Sequence, residues 1–140
     1  MATIFTRILR AELPGRFVWR DDRCAAFLSI NPLRPGHTLV VPIDEIDHWI
    51  DCPPDLVAHL TVVAHIVGRA QQAAFDPTRV ALVVAGMEVP HTHLHVVPID
   101  RESDLHFDSA DPDPDPAALD AAAESIRGAL RSSGHEPPRE

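Results

Sequence analysis

Cysteine is scarce: Cys24 and Cys52 are the only two in 140 residues, far apart and in no Cys-x-x-Cys pair. That excludes a disulfide framework and a cysteine-built zinc cluster, and leaves two thiols expected to be half-buried. Positive charge is short as well. Twelve Lys and Arg stand against twenty-one Asp and Glu, a net charge of −9 with histidine neutral. Such a chain repels polyanions, so neither nucleic acid nor an anionic membrane surface is an expected partner. A small anionic ligand stays compatible where local donors outweigh the global field. No apolar run approaches the thickness of a bilayer, and the start Met-Ala-Thr-Ile-Phe-Thr-Arg lacks a secretory pattern. The expected location is cytoplasmic.

Apolar residues make up 45 % of the chain, enough for one core without staples. Arg16–Arg20 and Cys24–Ile30 are apolar-aromatic runs joined by Asp21-Asp22-Arg23, which reads as a hairpin. Asn31-Pro32-Leu33-Arg34-Pro35-Gly36 breaks the ladder, and His37-Thr38-Leu39-Val40-Val41-Pro42 begins a new strand. Asp44 to Ile50 reads as a short helical turn. Asp51-Cys52-Pro53-Pro54-Asp55 has a capping candidate and first-turn prolines; beyond it Leu56, Leu60, Val63, Val67 and Ala70 recur at helical spacing over about five turns. His59 and His65 fall at the edge of that stripe as surface residues. Val80–Ala85 suits a central strand, and Gly86-Met87-Glu88-Val89-Pro90 turns into a fifth.

The expected class is therefore α+β: a five-stranded antiparallel sheet with a long helix and a short helix packed on it, plus a C-terminal amphipathic helix. Residues 1–107 form the main domain. Residues 108–116, with Asp and Pro alternating from Asp111 to Pro116, read as a stiff, solvated linker rather than a site. Residues 117–140 hold the last helix, with Leu119, Ala122, Ala123, Ile126 and Leu130 on one side, followed by a frayed tail from Ser132 that includes His135.

His91, His93 and His95 alternate with Thr92, Leu94 and Val96. In an extended chain such residues leave by one face, roughly 7 Å apart, so the three rings converge. Three chemistries fit that arrangement. Neutral imidazoles ligate zinc; an imidazole is also a nucleophile and acid–base group near neutrality; and a structural histidine ladder would pack poorly.

The run His91-Thr92-His93-Leu94-His95-Val96-Val97, the upstream Gly36-His37-Thr38-Leu39-Val40-Val41-Pro42, and Thr3-Ile4-Phe5, Ile8, Glu12-Leu13-Pro14 and Asp21–Phe27 together resemble the histidine triad family. The likeness spans roughly residues 3 to 98 and is nearest to the small branch that hydrolyses nucleoside phosphoramidates. It implies that His93 attacks the α-phosphorus of a purine nucleotide, forming a nucleotidyl-histidine that water releases. A backbone carbonyl of His91 would hold the other ring proton of His93. The rings of His91 and His95 would serve the phosphate or the leaving group, and His37 would orient the triad. Ile4, Phe5, Ile8, Phe27 and Ile30 match the apolar pocket for the base. The resemblance further implies a homodimer and needs no cofactor or metal. Dinucleoside polyphosphate hydrolysis, and a nucleotide-binding adaptor with vestigial catalysis, are the alternatives.

Three departures stand out. Ser29 occupies the position of an acidic or amide ribose contact and cannot accept two hydroxyl hydrogens as a carboxylate does, with Asn31 as the neighbour able to share the task. Met87 and Glu88 replace an amide and a hydroxyl before the triad; neither donates, and Glu88 is expected to point outward or at a cationic partner such as Arg34 or Arg101. Thr3 and Thr6 stand where some relatives place zinc-binding cysteines, and hydroxyls are poor zinc ligands. Activity is expected to fall in acid, near the ordinary histidine pKa of about 6.5.

Overall fold

Strands β1 (Phe17–Arg20), β2 (Cys24–Leu28), β3 (Thr38–Pro42), β4 (Arg79–Val83) and β5 (Leu94–Ile99) form one antiparallel sheet in the order β1-β2-β3-β5-β4, in a computed structural model describing residues 1–138. Helices are α1 (Ile4–Leu9), α2 (Pro54–Phe75) and α3 (Pro116–Ser132). The first hairpin closes because Asp21 Oδ1 accepts the backbone N–H groups of Arg23 and Cys24, a side-chain turn that needs no glycine. Gly36 sits at φ 91°, and a Cβ there would overlap the Phe75 ring, so this turn into β3 does require glycine. Every residue of β2, β3 and β5 is buried, which marks the inner strands.

The sheet has two covered faces. On one, Ala26, Val40, Leu94 and Val96 pack with Leu60, Val63 and Val67 of α2 and with Ala123, Ile126 and Leu130 of α3 in a single cluster. On the other, Ala25, Phe27, Leu39 and Val41 pack under Phe5, Ile8 and Leu9 of α1. The register pairs Phe27 with Leu39 and Leu39 with His95, so His95 lies on the α1 face beside these apolar residues. Among the described residues no helix is long and apolar enough to cross a membrane.

Several local expectations change. Helix α1 is unforeseen: six residues are too few for a periodic signal, and its start is fixed by Thr3 Oγ1 accepting from Thr6 N. Asp51 does not cap α2; it ends a 3-10 turn, Trp49–Asp51, which is all that forms of the expected turn over residues 44–50, and Pro53 takes the cap position with no side-chain bond. Helix α2 runs 22 residues because its apolar stripe continues to Phe75. Both thiols are fully buried rather than half so, and burial beside the Asp21 carboxylate pushes Cys24 up to about 12, leaving it protonated and inert. The tail does not fray at Ser132: the His135 ring packs on Trp19 at 5.4 Å and Pro137 is buried, while residues 139 and 140 lie outside the described residues.

Candidate active site

Strand β5 begins only at Leu94, and the reason is local. Thr92 N–H and Thr92 Oγ1 both donate to Ile46 O, each at 2.7 Å, so the chain at His91-Thr92-His93 pairs with the loop after β3 instead of with β3 itself. All three rings nevertheless lie on the α1 face. The Phe5 ring meets His91 edge-on at 5.7 Å and His93 at 5.0 Å, and His93 meets His95 at 4.9 Å.

Hydrogen-bond partners fix each tautomer. His93 Nδ1 lies 2.7 Å from His91 O, which only accepts, so Nδ1 carries a proton and, in the neutral ring, Nε2 presents the lone pair. Leu33 N–H donates to His37 Nδ1 at 3.0 Å, so the proton of neutral His37 is on Nε2, from which it is given to His95 Nδ1 at 2.9 Å. His95 therefore carries its own proton on Nε2. The chain Leu33–His37–His95 thus delivers a donor next to the lone pair of His93.

Burial sets the charge. Desolvation, then the neighbouring His95 and His93, pull His37 down to about 3; desolvation, then His93, pull His95 down to about 4. Both stay neutral far below 6.5, so the expected loss of charge neutrality near that pH does not reach these two rings.

His91 departs from expectation in one respect. Its Nε2 donates to Pro42 O at 2.8 Å and its Nδ1 accepts from Thr3 Oγ1 at 2.8 Å, so the ring is fully committed and wholly buried. It does not line the cavity beside His93. Its ring ties α1 to the end of β3, and what it offers to His93 is its backbone carbonyl. Burial, opposed in part by Pro42 O and the Glu45 carboxylate, holds the His91 ring below the ordinary histidine value.

A cavity of ≈ 490 Å³ opens on this face. Ile4, Phe5, Ile8, Phe27 and Ile30 line its apolar part; Ile4 is 42 % and Ile30 54 % exposed, apolar surface left open to a ligand. His37, His93 and His95 line the polar end, and Ser29 and Asn31 lie on the wall between. Asn31 is only partly available: its Nδ2 donates to Asp111 O at 3.0 Å, which leaves Oδ1 as an acceptor, and its N–H donates to Ser29 Oγ.

Two features refine the expectations. Of the two orientations expected of Glu88, pairing with Arg34 or Arg101 does not form, and the residue is exposed. Arg34 is held by Asp100 and Asp104, at 3.0 and 2.9 Å, and Glu88 lines the cavity with no ion-pair partner among the described residues. Nor does the acid–proline segment stand away from the site: Phe107, Ala110 and Pro112 form a wall of the cavity. Phe107 meets His95 edge-on at 4.9 Å, and Asp111 is pinned at both ends of its peptide, its N–H on Pro32 O and its carbonyl on Asn31. Proline spacing predicts a stiff, solvated linker; here the segment bends at residues 112–113 and is laid as a strap across the site because residues 31–32 offer it an acceptor and a donor.

The chain matches the HIT domain family over residues 10–102 and belongs to the histidine triad family. It is 36 % identical over 99 residues to a HIT-like protein of Methanocaldococcus jannaschii, covering 68 % of this chain and 77 % of that protein. An adenylylsulfatase of Arabidopsis thaliana is 31 % identical over 100 residues, 68 % of this chain and 51 % of its own length. Among solved structures, a zinc-bound histidine triad family protein from Mycobacterium smegmatis superposes with a TM-score of 0.82 at 27 % identity, covering 95 % of this chain and 96 % of that one.

The side chains around Thr3 and Thr6 do not fit a zinc ion. Thr3, Thr6, Glu45 and His91 meet there, but the Thr3 hydroxyl is spent on His91 Nδ1, and the Glu45 carboxylate accepts from Thr3 N–H at 2.7 Å and from the Thr6 hydroxyl. Neutral hydroxyls are hard, weak ligands for this metal. A web of hydrogen bonds does the tethering of α1 instead, and Glu45 is the member that no sequence pattern announces. A second cluster, Asp21, Cys24 and His59, has ligand atoms within 4.8 Å of one another. Asp21 is already saturated by Trp19 Nε1, His59 Nε2 and two backbone N–H groups, and the Cys24 thiol keeps its proton, so this is a hydrogen-bond hub.

Proposed function

We propose that this protein hydrolyses or transfers nucleoside 5′-phosphates, cleaving a purine nucleotide from an amine through a covalent nucleotidyl-His93. The observation that carries the reading is the hydrogen-bond set: His93 Nδ1–H anchored on His91 O, which leaves Nε2 free, beside a neutral His95 whose remaining proton is a donor. Attack by Nε2 forms the Nε2–P bond as the P–N bond breaks. His95 Nε2–H is placed to bond a non-bridging oxygen as charge gathers there. Neither His37 nor His95 is a cationic acid at neutral pH, since they titrate near 3 and 4, so the departing nitrogen takes its proton from water. Water then attacks the same phosphorus, gives up a proton to solvent, and the N–P bond breaks to restore neutral His93. The resemblance to an adenylylsulfatase supports a nucleotide whose α-phosphorus is the reacting centre. The cavity holds no Arg or Lys and one carboxylate, which disfavours a polyphosphate leaving group.

The direct test is rapid quench of the enzyme with radiolabelled adenosine 5′-phosphoramidate in excess chelator. An acid-labile, base-stable adenylyl adduct mapping to His93 is expected, with turnover of the phosphoramidate well above that of a dinucleoside polyphosphate. Release of AMP with no adduct, or activity that vanishes with chelator, would overturn the reading.

The strap adds a second measurable consequence. Asn31→Ala removes the bond that fixes Asp111 over the cavity, worth about 0.5–1.5 kcal/mol net. AMP binding by calorimetry is expected to weaken about 2- to 12-fold by the same range, while thermal stability changes little because Asn31 is exposed.

Assembly as a homodimer belongs to the same proposal. Strand β4 ends the sheet with the apolar run Val80-Ala81-Leu82-Val83, carries no proline or lysine guard, and is only partly covered. Leu82 is 50 % and Val62 56 % exposed, and a largely apolar groove of ≈ 410 Å³ runs between α2 and β4 beside them. A second copy laid edge to edge along β4 buries that surface.

A further inference from the structure

His93 is a wall of two cavities, not one. Across the loop of residues 84–89 from the nucleotide cavity lies a second, of ≈ 230 Å³, lined by Asp47, His48, Trp49, Met87, Thr92 and His93 with the backbone of the loop. The loop leans on the segment after β3: Gly86 takes φ 75°, and a Cβ there would be 4.0 Å from Asp47 O. Thr92 contributes no donor to the space, because its hydroxyl is spent on Ile46 O.

We propose that this second cavity receives the substituent of the departing amine, and that it selects a substituent carrying a second positive charge. The inference rests on the proposed phosphoramidate reading and specifies its leaving group. A substituent on the scissile nitrogen starts within a few ångströms of the phosphorus that His93 attacks, so a chain of a few carbons passing Glu88 and Met87 reaches Asp47 and Trp49. Apart from the imidazole of His48, every ionisable group met on that path beyond His93 is a carboxylate. Glu88 lines the first cavity and Asp47 the second, neither has an ion-pair partner among the described residues, and no Arg or Lys lines either space. Trp49, 41 % exposed, adds an indole face, the aromatic surface to which a cation is most strongly drawn. Met87, 91 % exposed, offers a flexible, polarizable cover. An anionic substituent would meet two like charges and no Arg or Lys.

The experiment compares three adenosine 5′-phosphoramidates that share nucleotide, scissile bond and chain length, made from 1,4-diaminobutane, n-butylamine and 4-aminobutyrate. The expected order of kcat/KM is cation over neutral over anion, with about tenfold between first and last from an exposed ion pair and a cation–π contact. In Asp47→Asn and Trp49→Phe proteins that ratio is expected to shrink to about two-fold. An equal rate on all three substrates, or a ratio unchanged in both variants, overturns the inference. Titration of the free amines against Trp49 fluorescence, read as the difference between the wild type and Trp49→Phe, is independent of turnover. Quenching by 1,4-diaminobutane but not by 4-aminobutyrate, in a protein that cleaves none of the three substrates, would sink the proposed activity and support the cation site. Cleavage without charge discrimination would do the reverse.

Discussion

Replacing His93 with Ala is expected to reduce turnover of an adenosine phosphoramidate by about 10⁴-fold or more, the scale on which removal of an activated nucleophile falls in covalent catalysis. The loss comes from one atom. His93 Nε2 is the unpaired nitrogen at the polar end of the cavity, and neither neighbour can take its place. His91 has both ring nitrogens engaged, and His95 Nδ1 is occupied by His37 while its Nε2 holds a proton. A graded series follows from the same geometry. His95→Asn keeps an N–H donor but loses the exact placement that His37 supplies, and is expected to be intermediate, at about 10²-fold. His91 acts on His93 through a main-chain oxygen, so changing its side chain is expected to act on the tether between α1 and the sheet, seen first as a lower unfolding midpoint. Quenched-flow kinetics on the purified variants, with nucleotide binding by calorimetry as the folding control, measures all three. Substantial turnover in His93→Ala, or a His91 variant as inactive as His93→Ala while fully folded, would remove the assignment of roles.

How far this arrangement could be read without coordinates depends on the range of each interaction. Alternation along an extended chain is a local rule, so it places His91, His93 and His95 on one face even though the strand proper starts at Leu94, whereas Phe5 and Phe27 beside them are readable only through the family resemblance. What alternation cannot show is the partner of each ring. The commitment of His91 depends on Thr3, eighty-eight residues away, and on Pro42, forty-nine away. Glu45 joins that web from a loop with no pattern. Six-residue α1 is too short for a period, and its place over the cavity is set by burial of Phe5, Ile8 and Leu9. The alternating Asp-Pro composition of residues 111–116 signals a stiff, extended backbone, whereas residues 112–113 form a bend in which Asp113 N–H donates to Asp111 Oδ1. It says nothing of where that backbone is laid, and two hydrogen bonds to residues 31 and 32 put it over the site. For Glu88 the charge-pairing argument fails because Arg34 is already satisfied by two closer carboxylates.

The same buried imidazoles predict marked acid lability of the fold. His37 at about 3 and His95 at about 4 are neutral in the native protein at pH 5, whereas in the unfolded chain each titrates near its ordinary 6.5. Below 6.5 the unfolded chain therefore binds protons that the native state does not, and stability must fall as pH falls. The contribution is fully present above 6.5 and is lost progressively toward 4 and then 3. One pH unit is worth about 1.4 kcal/mol per group, so at pH 5 the two rings together cost about 4 kcal/mol, and His91, also held below its ordinary value, adds in the same direction. That is a large part of the 5–15 kcal/mol typical of a whole domain. Two other effects compete. Acidification trims a net charge of −9 and relieves self-repulsion, which is stabilising, but exposed charges in salt interact weakly. Asp21, held well below the ordinary carboxylate value by Trp19, His59 and two backbone N–H groups despite its burial, also favours the native state at neutral pH; its loss begins only below about 3.8, outside this window. Urea midpoints measured at pH 7, 6 and 5 should therefore drop steeply and in step with proton uptake on unfolding of about two or more per molecule at pH 5. A midpoint that holds level from pH 7 to 5 would mean that these histidines take up protons in the folded state, and a charged His95 could no longer accept the His37 proton on which the donor at the active site depends.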